Sequence, residues 1–186
     1  MIEKTDMLRV KLPDTPTQGE NLQTLLDAHC SWTEMMACRN INCNMQVVKR
    51  NSLELVDPKN AIVIYLGRER DNPAWREPWF RQLSAADQAQ YVGEMNYRKV
   101  KIPNEIKVPD GLTTINYRLS ATVEHSGGHA GGGHFVGFLL IDGEWFVTND
   151  DKALRHSSYY PEYDHERSII FMYYRVDDLP SRPMFD

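Results

Sequence analysis

Within the stretch Tyr117 to Asp151, YRLSATVEHSGGHAGGGHFVGFLLIDGEWFVTNDD, the histidine His134 is followed at the far end by an amide and two carboxylates, Asn149, Asp150 and Asp151. An imidazole with one nitrogen held by an amide or carboxylate presents the other to a nucleophile, which is the orienting arrangement of a catalytic triad. The same residues have a plainer reading, as a strand start after a glycine run and a solvated strand end. A metal is a third reading. His125, His129 and His134 with Asp150 or Asp151 have suitable ligand chemistry, but no tight HxH or HxxxH pair supports it.

The elements that must position these groups can be read locally. His134 to Ile141 and Glu144 to Asn149 are apolar, aromatic and β-branched, and only Asp142-Gly143 separates them, a strong hairpin signal. A turn of that length sets Ile141 opposite Glu144, and then Val136 opposite Asn149, Phe135 opposite Asp150 and His134 opposite Asp151. His134, Val136, Asn149 and Asp151 therefore share one face. Diagonal neighbours on a ladder lie roughly 7–8 Å apart between backbones, so Asn149 is placed to bond the His134 ring. A bulge would promote Asp150 instead.

Composition narrows the function classes. A chain of 186 residues is one domain by size, and its net charge of -5 argues against a nucleic-acid surface. With no long apolar run or export signal in view, the expectation is a soluble, intracellular protein without membrane contact. Cys30, Cys38 and Cys43 are an odd number, which suits reduced thiols.

Tyr117, Leu119, Ala121, His125, Ser126 and Gly127, then Gly133, His134 and Phe135, then Trp145, Asn149 and Asp150, and finally SIIFMYYR follow one another in a distinctive order. The order resembles the histidine box and last strand of the ubiquitin-specific proteases, papain-like cysteine deubiquitinases with the pattern Y-x-L-x-A-x-x-x-H-S-G, G-H-Y, W-x-x-F-D/N-D. The resemblance implies His134 as general base and Asn149 as its orienting partner, with Asp150 beside it. Phe135 stands where the family usually has tyrosine. It also implies that Gly127, Gly128, Gly132 and Gly133 border a narrow channel for the two-glycine tail of ubiquitin, where backbone must come close. Without the resemblance, those glycines read as a floppy loop.

The rest of the chain fits the same family in order. Leu8 to Leu12 reads as a strand, and Glu20 to His29 as a short helix with an acidic first turn. Cys38 and Cys43 have the chemistry of half a structural zinc site, the family often having C-x2-C here. Buried cysteines without metal are the favoured reading, and no other cofactor is expected. Asn44 to Leu55 and Ala61 to Leu66 read as strands. Residues 71–96 depart from the family pattern as an insertion, with a helix expected from Ser84 to Glu94 and with Trp75, Trp79 and Phe80 packing it down. Lys99 to Val108 matches a short strand pair, Lys152 to Arg167 reads as a polar loop, Ser168 to Val176 closes the sheet, and 177–186 form a tail.

The implied fold is α+β, the palm and part of the fingers of the papain-like architecture, over residues 1–176. The sheet is mainly antiparallel with few helices, and the helical thumb is missing. The family's nucleophile lies in a G-N-T-C-Y box opening a helix, and no such box occurs in this sequence. Three readings follow. The chain is the His/Asn part of an active deubiquitinase whose cysteine box lies on a missing N-terminal half or another chain. Alternatively, it is a catalytically inactive, ubiquitin-binding relative. In the third reading, one of its own three cysteines serves as nucleophile.

Overall fold

The computed structural model describes residues 7–13, 15, 20–37, 46–52, 60–70, 77–84, 87, 94–110, 113–129, 132–158 and 164–176; for 32–37, 46–52, 128, 129 and 164 the description is of the backbone. Cys38, Cys43, Trp75, the 177–186 tail and most of the helix expected from Ser84 lie outside these residues. At the start of that segment Asp87 N–H donates to Ser84 Oγ at 3.2 Å, a capping contact. Trp79 meets Phe80 edge to face, yet it is 43% exposed, so the two rings pack on each other and leave one indole open to solvent.

The chain begins with β1 (Leu8–Lys11) and the helix α1 (Leu22–Cys30). Asn21 caps the helix: its Oδ1 accepts from Thr24 N–H at 3.0 Å, while Thr24 Oγ1 accepts from Asn21 N–H at 3.0 Å. The expected acidic first turn is absent. Glu20 precedes the cap, and its carboxylate pairs with Arg98 Nη2 at 2.6 Å instead of sitting within the first turn. Leu22, Leu25, Leu26 and Cys30 recur at helical spacing and form the buried stripe.

The strands that follow are β2 (Ser31–Ala37), β3 (Gln46–Ser52), β4 (Ala61–Gly67), β5 (Val100–Lys101), β6 (Glu105–Asp110) and β7 (Thr113–His129). After them come β8 (Gly132–Ile141), β9 (Glu144–Asn149), β10 (Lys152–His156), β11 (Asp164–His165) and β12 (Ser168–Arg175). The main sheet runs β1-β4-β12-β7-β8-β9-β10, and β6 also pairs with β7. Only β1 with β4 is parallel among its pairings, so the mainly antiparallel α+β expectation holds. β2 with β3 forms a separate two-stranded ribbon, and β5 with β11 another.

Two further expectations fail. Ser168–Arg175 does not close the sheet. It lies between β4 and β7, because backbone groups on both its edges find antiparallel partners and its Phe171 and Tyr173 are fully buried. Lys152 to Arg167 is not simply a loop either, since Lys152–His156 adds β10 to β9. All its side chains are exposed, which explains why no apolar alternation announces it.

Helix and sheet meet in one core, in which α1 contributes Leu22, Leu25, Leu26 and Cys30 against Ile64, Leu66, Ile106, Tyr117, Leu119 and Phe171. A second set of contacts is polar. Arg68, immediately after β4, is completely buried, and its guanidinium donates to four carbonyls: Ser168 at 2.8 Å, Asn96 at 3.1 Å, Arg98 at 2.6 Å and His165 at 2.9 Å. Burial, and then the neighbouring Arg98 charge, lower its pKa to about 10, which leaves it a cation at neutral pH. Arg68→Leu orphans all four carbonyls and is expected to cost on the order of 3 kcal/mol or more. Urea unfolding of wild type and variant measures this, and a loss under 1 kcal/mol would show that the carbonyls find other donors.

Candidate active site

The histidine hairpin is built by its turn. Asp142 and Gly143 both have positive φ, 51° and 83°, the conformation of a two-residue turn whose twist matches the flanking strands. The ladder then runs without a shift from Ile141 opposite Glu144 to Gly137 opposite Thr148. With no bulge, Asn149 falls on the His134 side. The pairs expected beyond Gly137 and Thr148, namely Val136 with Asn149, Phe135 with Asp150 and His134 with Asp151, are not part of the ladder. Asp150 adopts φ 51° and turns the chain back, so that Lys152 pairs with Asn149 in β10.

Asn149 Oδ1 lies 2.6 Å from His134 Nε2, while Asp150 Oδ2 is 3.9 Å from the same nitrogen. Asn149 is half-buried, and the His134 and Asp150 side chains are 47% and 71% exposed. A carbonyl oxygen only accepts, so in the neutral ring the tautomer that makes this bond has its proton on Nε2 and a lone pair on Nδ1. That is the protonation pattern of a base facing a proton donor.

The glycines lie at the irregular end of the β7–β8 ladder, and of the four only Gly132 has a ladder partner. Ser126 pairs with His134 and His129 with Gly132, and the register shifts between them, at Gly127 and Gly128. The two arms touch. A Cβ on Gly127 would stand 2.8 Å from Gly133 Cα, and one on Gly133, where φ is 151°, would strike His125 Nε2. At Gly132 a Cβ would meet nothing, and the residue faces open space.

Beneath this crossing sits His125, 1% exposed, with neither ring nitrogen hydrogen-bonded and its ring 4.9 Å from that of Phe135. Phe135 is 52% exposed. The metal reading gains nothing here: among the described residues no three ligating side chains converge, and the side chain of His129 is outside them.

Cys30 is buried in the main core, and burial and then Asp27 push its thiol pKa up, the opposite of what a nucleophile needs. Cys38 and Cys43 lie outside the described residues. Sequence reasoning missed Tyr97, whose hydroxyl bonds Gly127, and the anchoring role of Arg68. Neither carries a local signal, because each acts on segments distant in the chain.

Residues 10–173 match the family model described as ubiquitin carboxyl-terminal hydrolase. The chain belongs to this family. Among curated proteins, ubiquitin carboxyl-terminal hydrolase 14 of Schizosaccharomyces pombe is 34% identical over 67 residues, covering 34% of this chain and 8% of that protein. Among solved structures, the yeast SAGA DUB module with Sgf73 aligns at TM-score 0.63 and 17% identity over 91% of this chain and 35% of that one. The SAGA Ubp8/Sgf11/Sus1/Sgf73 DUB module bound to ubiquitin aldehyde aligns at TM-score 0.63 and 16% identity, with the same coverage, 91% and 35%. The fold is that of a partial papain-like ubiquitin-specific protease, and the chain spans about a third of the solved chains it matches. No helix among the described residues is long and apolar enough to cross a membrane.

Two outcomes are expected from this geometry. In ¹⁵N spectra, His134 of the neutral ring shows a protonated Nε2 and a bare Nδ1, and Asn149→Ala converts this to a tautomer mixture. An unchanged spectrum would show that Asn149 does not select the tautomer. Gly133→Ala is expected to cost about 1–3 kcal/mol through strain and collision with His125, whereas Gly132→Ala leaves the melting temperature nearly unchanged. Thermal unfolding of the two variants separates them.

Proposed function

We propose that this chain is the His/Asn part of a thiol-dependent deubiquitinase, which cleaves the bond after the C-terminal glycine of ubiquitin. The observation that supports it most is the His134 Nε2 to Asn149 Oδ1 contact of 2.6 Å, set in a chain of the ubiquitin carboxyl-terminal hydrolase family. The similarity to DUB modules bound to ubiquitin aldehyde or monoubiquitin adds to it.

In this reading His134 Nδ1 takes the proton of a cysteine thiol, and the thiolate attacks the carbonyl carbon of the terminal glycine. The leaving lysine amine then receives that proton from His134, and water, activated by the same imidazole, hydrolyses the thioester. Asn149 holds the ring and its charge without exchanging protons. Asp150, exposed and farther from the ring, adds a negative charge beside it. Gly127, Gly128, Gly132 and Gly133 border the channel for the ubiquitin tail, and Phe135 is a further substrate-binding residue.

In this reading the thiol comes from a cysteine box on a longer chain or on a partner, and Cys30, buried with a raised pKa, does not supply it. That same buried thiol favours the second reading, a catalytically inactive relative that binds ubiquitin. A structural zinc at Cys38 and Cys43 remains a proposal that metal analysis of the purified chain decides.

The deciding experiment reacts the purified chain with ubiquitin bearing a thiol-reactive C-terminal warhead and, in parallel, titrates it with plain ubiquitin. Saturable binding without an adduct is expected, and an adduct mapped to Cys38 or Cys43 would move the nucleophile into this chain. Absence of both would sink the ubiquitin reading for the isolated segment. In an enzyme completed with its cysteine box, His134→Ala is expected to lower kcat by a factor on the order of 10³ or more, and Asn149→Ala by less. A loss for Asp150→Ala with none for Asn149→Ala would transfer the orienting role to Asp150. Gly132→Ala, placed in open space, is expected to weaken ubiquitin binding while sparing stability.

A further inference from the structure

We propose that Tyr97 is a positioning residue for the His134 site, holding the glycine crossing in register through its phenol and linking it to the 71–96 insertion. The β7–β8 ladder breaks between Ser126 and His129, so Gly127 has no strand partner for its N–H and C=O at that edge. Buried main-chain polar groups need partners, and one hydroxyl can both donate and accept. Gly127 N–H donates to Tyr97 Oη at 3.2 Å, and the Tyr97 hydroxyl donates to the Gly127 carbonyl.

The clamp acts next to the histidine. Ser126, the residue before Gly127, is the ladder partner of His134, and Gly127 packs on Gly132 and Gly133, which lead into it. A shift at Gly127 therefore displaces the start of β8. Tyr97 is itself fixed on both sides, since Arg68 Nη1 donates to the carbonyls of Asn96 at 3.1 Å and Arg98 at 2.6 Å, and Asn96 N–H donates to Arg68 O at 2.7 Å. The residues just before it close the insertion. Met95 bridges to Glu69, and Arg70 N–H donates to Glu94 O at 3.0 Å.

Tyr97→Phe in the full chain removes only the hydroxyl. Hydrogen exchange of the Gly127 amide is expected to speed up about tenfold or more, the His134 ring resonances to move, and the melting temperature to change little. Faster exchange with a still His134 signal makes Tyr97 a structural tie only and overturns the positioning role, as does no change in either. Should the variant fail to fold, the wild-type chain answers: an NOE between the Tyr97 ring and the Gly127 amide supports the clamp, and its absence overturns it. The remaining arm rests on the proposed function, with plain ubiquitin expected to bind Tyr97→Phe about three- to tenfold more weakly. If wild type binds no ubiquitin, the ubiquitin reading falls, while the exchange and His134 readouts still decide the role of Tyr97.

Discussion

The buried guanidinium of Arg68 is the constraint on which the arrangement around the site depends. A cation removed from water must be surrounded by acceptors, and Arg68 collects four carbonyls from the 96–98 segment, β11 and the start of β12. These segments lie far from β4 in the chain, and the residue just after β4 registers them together. Arg167, between two of the anchored carbonyls, accepts the His125 N–H at 3.0 Å. The position of β7 relative to β12 is thereby tied to the same centre.

On that seat the contact between His134 and Asn149 is made by a local device. The Asp142-Gly143 turn sets the β8–β9 register, and the second turn at Asp150 ends β9 directly after Asn149. An amide, rather than the neighbouring carboxylates, thus meets the imidazole. A neutral acceptor orients the ring without holding a full negative charge against it. The tautomer is selected while the carboxylates stay in solvent, where their charge is largely screened.

The glycine crossing shows a different kind of economy. Two strand arms approach until neither Gly127 nor Gly133 has room for a Cβ, and the imidazole of His125 fills the space below. Backbone at such short range leaves polar groups that a regular ladder cannot pair, and a side chain from elsewhere, Tyr97, takes them. Cys30 sits apart from this site, in the apolar core at the end of α1. Its raised pKa follows from that packing.

The hairpin, its register and the choice of Asn149 over Asp150 were legible in the residues, because turn type and strand alternation are local and a two-residue turn allows one register. So were α1, β1 and β4, whose apolar spacing reports burial directly. The tertiary structure alone decided that β12 runs inside the sheet, that the exposed Lys152–His156 is a strand and that Glu20 pairs with Arg98. It also decided that Arg68 bonds the Arg98 carbonyl and Tyr97 the Gly127 carbonyl. Strand order and side-chain-to-backbone bonds between distant segments depend on which surfaces meet. That is settled by packing the whole chain and leaves no periodic mark on the short windows a sequence offers.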